Sequence, residues 1–313
     1  MATEGLLRFL EKEKPDVVHL HCINGNFVNV YRLVSFLRAK KIRTVVTLHG
    51  EFLFTGNCAH GDGCEGWKSG CKNCRRYSYD TARSYRKMEE AFRGFGKNLS
   101  VIAPSPWEER RAAVAPILRE GYHSTIFNGV DTGIFCYMPR EKRGNEKIIV
   151  HVTALFRDDP THGKGGWYVL ELARRMKHQP VRFLVAGKCQ IRGEIPGNVT
   201  FLGEIRDAEK LASLYRSADL TLLASRRETF SMVCAESLCC GTPVVGFEAG
   251  GPECVFGGEY AHFVSYGAVD ALLAVAKTAL KTSWDRETIA REAGQRYGLD
   301  AMLRAYEQVY LGG

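Results

Sequence analysis

No run of apolar residues in this sequence approaches the roughly 18 that a membrane-crossing helix requires. The opening stretch MATEGLLRFLEKEK is charged along its length and lacks the apolar centre of a secretion signal. No G-x-G-x-x-G follows any predicted strand, which argues against a dinucleotide-dependent oxidoreductase. No D-x-D occurs anywhere, so a catalytic divalent cation is not implied. A pyridoxal-bearing lysine context is missing too, which disfavours a phosphorylase. Zinc-finger spacing and a basic stripe interleaved with aromatics are both absent, so nucleic acid is not an expected partner.

What is present has the balance of a soluble globular protein, with 45% hydrophobic and 25% charged residues. A length of 313 residues predicts two domains of ordinary size. The formal charge of +8 suits anionic ligands or an anionic membrane surface, although the basic residues are scattered. Eleven cysteines are many, and with no export signal the expected compartment is the reducing cytoplasm, peripheral association with the inner membrane face included. Seven are dispersed among apolar neighbours, as at Cys22, Cys189, Cys234, Cys239 and Cys240, and most of these are expected to pack as small core hydrophobes.

The most informative stretch is DLTLLASRRETFSMVCAESLCCGTPVVGFEAGGP, from Asp219 to Pro252. Leu220 to Ala224 predicts a buried strand and Val244 to Phe247 a second. Between them Ser231 can cap a helix over Met232 to Cys240, which Gly241 ends and Pro243 stops. Gly250-Gly251-Pro252 predicts a closing turn. This is a βαβ crossover, so the sheet is parallel. The loop after a parallel strand lies at the carboxyl edge, where open α/β sheets hold ligands. The helix start offers backbone N–H groups to an anion, and Glu228 and Glu236 flank it. A helical side chain leans toward the N-terminus, so Glu236 can reach the same crevice. Two carboxylates beside an anion-seeking helix end suit a diphosphate flanked by hydroxyl-rich groups, as in a sugar nucleotide.

The pair Glu228 and Glu236, with seven residues between them within ETFSMVCAESLCCGTPVV, resembles the donor-site signature of the GT-B retaining glycosyltransferases of family four. The resemblance implies an α/β fold of two Rossmann-type parallel-sheet domains facing a cleft. It implies transfer of a hexose-type sugar from a nucleoside diphosphate sugar to a hydroxyl on a polysaccharide or lipid-linked glycan. By the same resemblance, Glu228 contacts the sugar, Glu236 the ribose hydroxyls, and Phe230, Ser231 and Met232 the phosphates or sugar through main-chain N–H groups. Lys164, in GKGG ahead of a helix predicted from Gly166, resembles the lysine that neutralises the diphosphate. Arg157 is the candidate second cation, and Gly187 matches the segment near the base. His49, at the end of VVTLHG, resembles the histidine that touches the donor sugar.

The runs DVVHLH, VVTLHG, VIAPS and IFNGVD are similar to the second half of that family's acceptor domain, whose opening strand and glycine-rich loop have no counterpart here. Residues 1–139 are therefore expected to form an incomplete first domain. A second copy or a partner chain is expected to cover its exposed edge. Residues 140–295 are expected to form the donor-binding domain, with a linker from Arg140 to Lys147. Residues 296–313 are expected to form a terminal helix returning to the first domain. A non-catalytic sugar-nucleotide-binding protein is the alternative.

One segment, residues 51–76, stands apart. Cys58, Cys64, Cys71 and Cys74 are separated by five, six and two residues in a glycine-rich loop. Four thiolates could hold a structural zinc, two disulfides could form, or the thiols could pack unpaired with Phe52, Phe54 and Trp67. Sequence spacing leaves all three open. A similar cysteine-rich insert occurs in bacterial polysaccharide-assembly members of the family that the chain resembles.

Overall fold

A computed structural model describes residues 2–61, 63–140 and 144–312. The chain divides into two compact units, Met1–Phe127 joined by Ala305–Gly313, and Asn128–Arg304. Among the described residues no helix is long and apolar enough to cross a membrane.

The first unit runs α1 (Ala2–Glu13), β1 (Val17–His21), α2 (Val30–Ala39), β2 (Arg43–Thr47), α3 (Thr81–Phe92), β3 (Leu99–Ala103), α4 (Pro106–Val114) and β4 (Tyr122–Thr125). Its four strands pair in the order β1-β2-β3-β4, all parallel. Strands β2 and β3 are buried along nearly their whole length, as strands covered on both faces must be. Helix α2 buries Val30, Leu33, Val34 and Leu37, a single stripe at helical spacing, and Asn29 caps its first turn.

The second unit runs β5 (Lys147–Arg157), α5 (Gly166–Arg175), β6 (Val181–Gln190), β7 (Val199–Gly203), α6 (Ala208–Ser217), β8 (Leu220–Leu223), α7 (Met232–Cys239), β9 (Val244–Phe247), α8 (Gly251–Phe256), β10 (Ala261–Val264), α9 (Val269–Lys281) and α10 (Arg286–Tyr297); α11 (Leu299–Leu311) starts in it and ends in the first unit. Its sheet order is β10-β9-β8-β5-β6-β7, again parallel throughout. The chain builds outward from β5 to β7, then returns to β5 and builds the other way. The loops after β5 and β8 therefore leave the sheet side by side, at the switch point where such sheets bind ligands.

Residues 128–139 go with the second unit for identifiable reasons. Val130 N–H donates to Tyr297 O at 2.8 Å, and Arg216 Nε donates to Cys136 O at 2.9 Å. Of the linker expected at 140–147, residues 141–143 lie outside the described residues. Arg140 meets Asp219 at 2.7 Å, and the same carboxylate accepts from Ile148 N–H at 2.8 Å, which anchors the start of β5. The glycines expected to close a turn after β9 instead open helix α8, with Pro252 in its first turn and Glu253 accepting from Gly250 N–H at 2.8 Å.

Candidate active site

The site in the second unit is assembled from the two adjacent loops. Arg226 N–H donates to Gly163 O at 2.8 Å, tying the loop after β8 to the loop after β5. Glu228 pairs its backbone with the turn after β9, donating to Ala249 O and accepting from Gly251 N–H, both at 2.9 Å. That fixes the backbone of Glu228 on two sides. Its carboxylate meets Lys164, whose Nζ donates to Oε1 at 2.7 Å. Lys164 is placed by Gly165, which has a φ of +69° and sits so close to Ala224 that a Cβ would stand 1.9 Å from the Ala224 carbonyl oxygen. No other residue fits there.

Helix α7 begins at Ser231, which adopts φ +88° and ψ +94°, a conformation costly for a residue with a side chain. Its hydroxyl accepts from Cys234 N–H at 3.4 Å. Phe230, buried beneath this turn, packs against Phe256 with ring centroids 5.1 Å apart. Met232 stands at the surface of the same turn. One turn further, Glu236 accepts from the Tyr215 hydroxyl at 3.1 Å. Burial pushes Glu236 up to about 7, against the opposing pull of the Tyr215 bond. Ser237 holds the helix to β8 by donating to Thr221 at 2.7 Å.

Arg157 and Gly187 occupy neighbouring positions of different character. The Arg157 guanidinium donates to Gln190 at 2.9 Å and lines a hollow with Asp158, Asp159 and Arg192. Gly187, with φ +139°, has no room for a side chain, since a Cβ there would stand 1.9 Å from the Thr153 carbonyl oxygen. Sequence reading missed Tyr215, the partner of Glu236, because it lies on another helix; no local signal marks it.

In the first unit, His49 stands just beyond the end of β2, in the wall of a hollow of about 100 Å³ that includes Leu20, Ile23, Phe52 and Leu53. His21 Nδ1 and His49 Nε2 are 3.0 Å apart. The surrounding protein, and then the neighbouring His21, lower the His49 pKa. His21 and His19, alternate residues of β1, belong to this cluster.

The 51–76 loop contains two short turns of 3-10 helix and a packed interior. Trp67 and Phe54 are fully buried, edge to face at 5.5 Å. Glu51 is 1% exposed and meets Arg111 at 2.6 Å. Cys58, Cys64, Cys71 and Cys74 all carry free thiols and line one hollow. Among the described residues no three His, Cys, Asp or Glu side chains are gathered closely enough to hold a metal ion. Backbone N–H groups meet two of the sulfurs: Gly56 donates to Cys71 at 3.2 Å and Gly66 to Cys64 at 3.3 Å.

Comparison with known proteins adds identity to this geometry. Residues 2–134 match the family described as Glycosyltransferase Family 4, and residues 146–282 match Glycosyl transferases group 1. The N-acetyl-alpha-D-glucosaminyl L-malate synthase of Bacillus anthracis is 30% identical over 330 residues, covering 96% of this chain and 75% of its own. The chain belongs to the family 4 glycosyltransferases. A second relative, described as the glycosyl transferase WcaC of colanic acid biosynthesis in Escherichia coli (strain K12), is 26% identical over 316 residues, covering 95% of this chain and 76% of its own. The fold of this glycosyltransferase is GT-B, shared with Anabaena Alr3699/HepE solved with UDP-glucose at a TM-score of 0.63 and 16% identity, over 98% of this chain and 81% of that one. Two parallel-sheet α/β units are what that fold predicts, as the sequence reading expected.

Proposed function

We propose that this glycosyltransferase moves a hexose-type sugar, with retention of anomeric configuration, from a nucleoside diphosphate sugar to a hydroxyl of a polysaccharide or lipid-linked acceptor. The observation that carries the reading is the pairing of Lys164 with Glu228 beside the start of α7, with Glu236 half-buried one turn behind. A diphosphate entering there exchanges its charge for that of Glu228 as the partner of Lys164, and the released carboxylate turns to the sugar hydroxyls. The N–H groups from Phe230 to Met232 lie at the same turn and suit phosphate oxygens. Glu236, one turn further along α7, is read as the group that takes the ribose hydroxyls. His49 completes the reading as the group that meets the donor sugar. The relatives named for colanic acid and for a glucosaminyl product support a hydroxyl acceptor.

The test is transfer assayed with a panel of uridine and guanosine diphosphate hexoses and glycan or lipid-linked acceptors. Product configuration is read by proton NMR. Lys164→Ala and Glu228→Ala are each expected to lower kcat/KM about 100-fold. Unchanged transfer in both variants sinks the assignment. Calorimetric donor binding without transfer to any acceptor would instead favour the reading as a non-catalytic sugar-nucleotide-binding protein.

A further inference from the structure

Three histidines crowd the carboxyl edge of the first unit's sheet, and only one of them is absorbed by the function proposed above. His19 and His21 are alternate residues of β1, so they share a face. In the β1–β2 register His21 lies opposite Thr47, and His49 follows Thr47 by two residues. Strand periodicity thus brings all three rings to one side of the sheet end. The rings of His19 and His21 are 3.9 Å apart between centroids, and those of His21 and His49 are 5.4 Å apart with planes inclined by 28°.

The contact between His21 and His49 is specific. Nδ1 of His21 stands 3.0 Å from Nε2 of His49, a hydrogen bond that needs one N–H and one lone pair. A neutral imidazole carries a proton on one nitrogen only. Whichever way this bond runs, it dictates the state of the remaining nitrogen of His49. If His21 donates, His49 presents Nδ1–H to its ligand. If His49 donates, it presents a lone pair. The ring of His21 is itself backed by His19, whose Nε2 meets the Thr47 hydroxyl at 2.8 Å and whose Nδ1 meets the Tyr310 hydroxyl at 2.6 Å.

We infer that His21 is a positioning residue, one that fixes the tautomer and ring plane of His49 for its contact with the donor sugar. The inference rests on the transferase reading of His49. Its electrostatic setting agrees. Burial, then repulsion from His21 and His49, lowers His19 to about 4, and both His21 and His49 are held below the ordinary histidine value. The column is therefore neutral near pH 7, the state in which a shared proton can define a tautomer. Other groups nearby do not displace it. His60 lines the same hollow as His49, Tyr306 bonds Thr47 at 2.7 Å, and Glu51 is turned away to Arg111 and the Gly61 N–H. His21 is exposed, so its removal takes little from the core.

The experiment uses the intact chain with His21→Ala and His21→Asn, the amide of Asn standing where Nδ1 stood and able to donate or accept. Imidazole nitrogen–proton NMR without substrate is expected to show one His49 tautomer in the wild type. In His21→Ala it is expected to show a mixture and a higher His49 titration midpoint, because a repelling neighbour is gone. Kinetically, His21→Ala should lower kcat about 10-fold with donor KM within about two-fold, and His21→Asn should recover most of it. The acid limb of the kcat profile should move to higher pH in His21→Ala. A His49 tautomer and kcat unchanged in His21→Ala overturn the inference. A wild type with one His49 tautomer and no transfer activity overturns the transferase reading and leaves the proton link standing, so the two failures are separable.

Discussion

Glu236 is a carboxylate in a place that disfavours its charge. Burial raises it to about 7, so in the ligand-free protein near neutral pH a large share of the molecules carry the proton. A ribose diol binds best to the ionised form, which accepts from both hydroxyls. The sign follows directly. A raised pKa leaves the group neutral on the acid side, so donor affinity should climb as pH rises through 7. Binding of the nucleoside diphosphate measured by calorimetry at about pH 6 and about pH 8 should tighten several-fold across that interval. Glu236→Gln should bind more weakly and show a flatter profile. A wild-type profile as flat as that of the variant would remove Glu236 from the ribose. Tyr215 enters the same account, since its hydroxyl donates to the carboxylate that must ionise. The cysteines teach a different lesson at this scale. Cys234, Cys239 and Cys240 are buried as their apolar neighbours suggest, but Cys22 and Cys189 are exposed. Both follow strand residues near the carboxyl edges of their sheets, where the chain leaves the core.

At the scale of elements, the loop after β2 is held by a buried charge pair and stacked rings. Glu51 takes the Gly61 N–H and meets Arg111, and the Arg111 guanidinium lies 4.8 Å from the Trp67 ring and 4.9 Å from Trp107. Removing one charge from a buried pair leaves the other uncompensated. Arg111 retains Glu65 at 3.1 Å as a second, more exposed partner, which tempers the loss. Glu51→Gln should therefore cost about 2–3 kcal/mol, read as a lower denaturation midpoint at unchanged slope. Dialysis against a strong chelator should leave that midpoint where it was. A midpoint that falls with chelation, together with zinc near one equivalent by elemental analysis, would show the four thiols closing on a metal. The elements that sequence reading found are those whose pattern is self-contained. The β8–α7–β9 unit has apolar strands, a capping serine and a stopping Gly and Pro, and its observed ends differ by a residue at most. Helix α3 follows the cysteine loop and is rich in Arg, Lys and Glu; Thr81, Tyr85, Met88, Ala91 and Phe92 form its buried side. Strands β5 and β6 run on to Arg157 and Gln190 because they pair with each other beyond a register shift, which neither sequence shows alone. Helix α10 carries few large apolar residues and is held by packing on α7, a tertiary cause.

For the whole molecule, the chain's last residues decide what the first unit contains. Ala305–Gly313 belongs with Met1–Phe127 although α11 begins in the other unit. The reason is a small network of hydroxyls. Thr47 is 3% exposed, and its oxygen meets both the Tyr306 hydroxyl at 2.7 Å and His19 Nε2 at 2.8 Å. Arg43 donates to the Tyr310 carbonyl at 2.8 Å, satisfying the end of α11 where the helix leaves carbonyls unpaired and its dipole is negative. A returning terminal helix is legible as an apolar stripe near the end of the sequence, but its partners are 259 residues and more away along the chain and leave no local trace. Thr47→Val keeps the shape and deletes the shared oxygen. Buried Tyr306 and half-buried His19 each lose a bond, so the first unit should be destabilised by about 1–3 kcal/mol. Calorimetric unfolding should show a lowered transition for that unit. Binding of the nucleoside diphosphate, which the proposed function assigns to Lys164, Glu228 and Glu236 in the other unit, should keep its wild-type affinity. Weakened nucleotide binding in Thr47→Val would mean that the second unit does not hold the donor on its own residues.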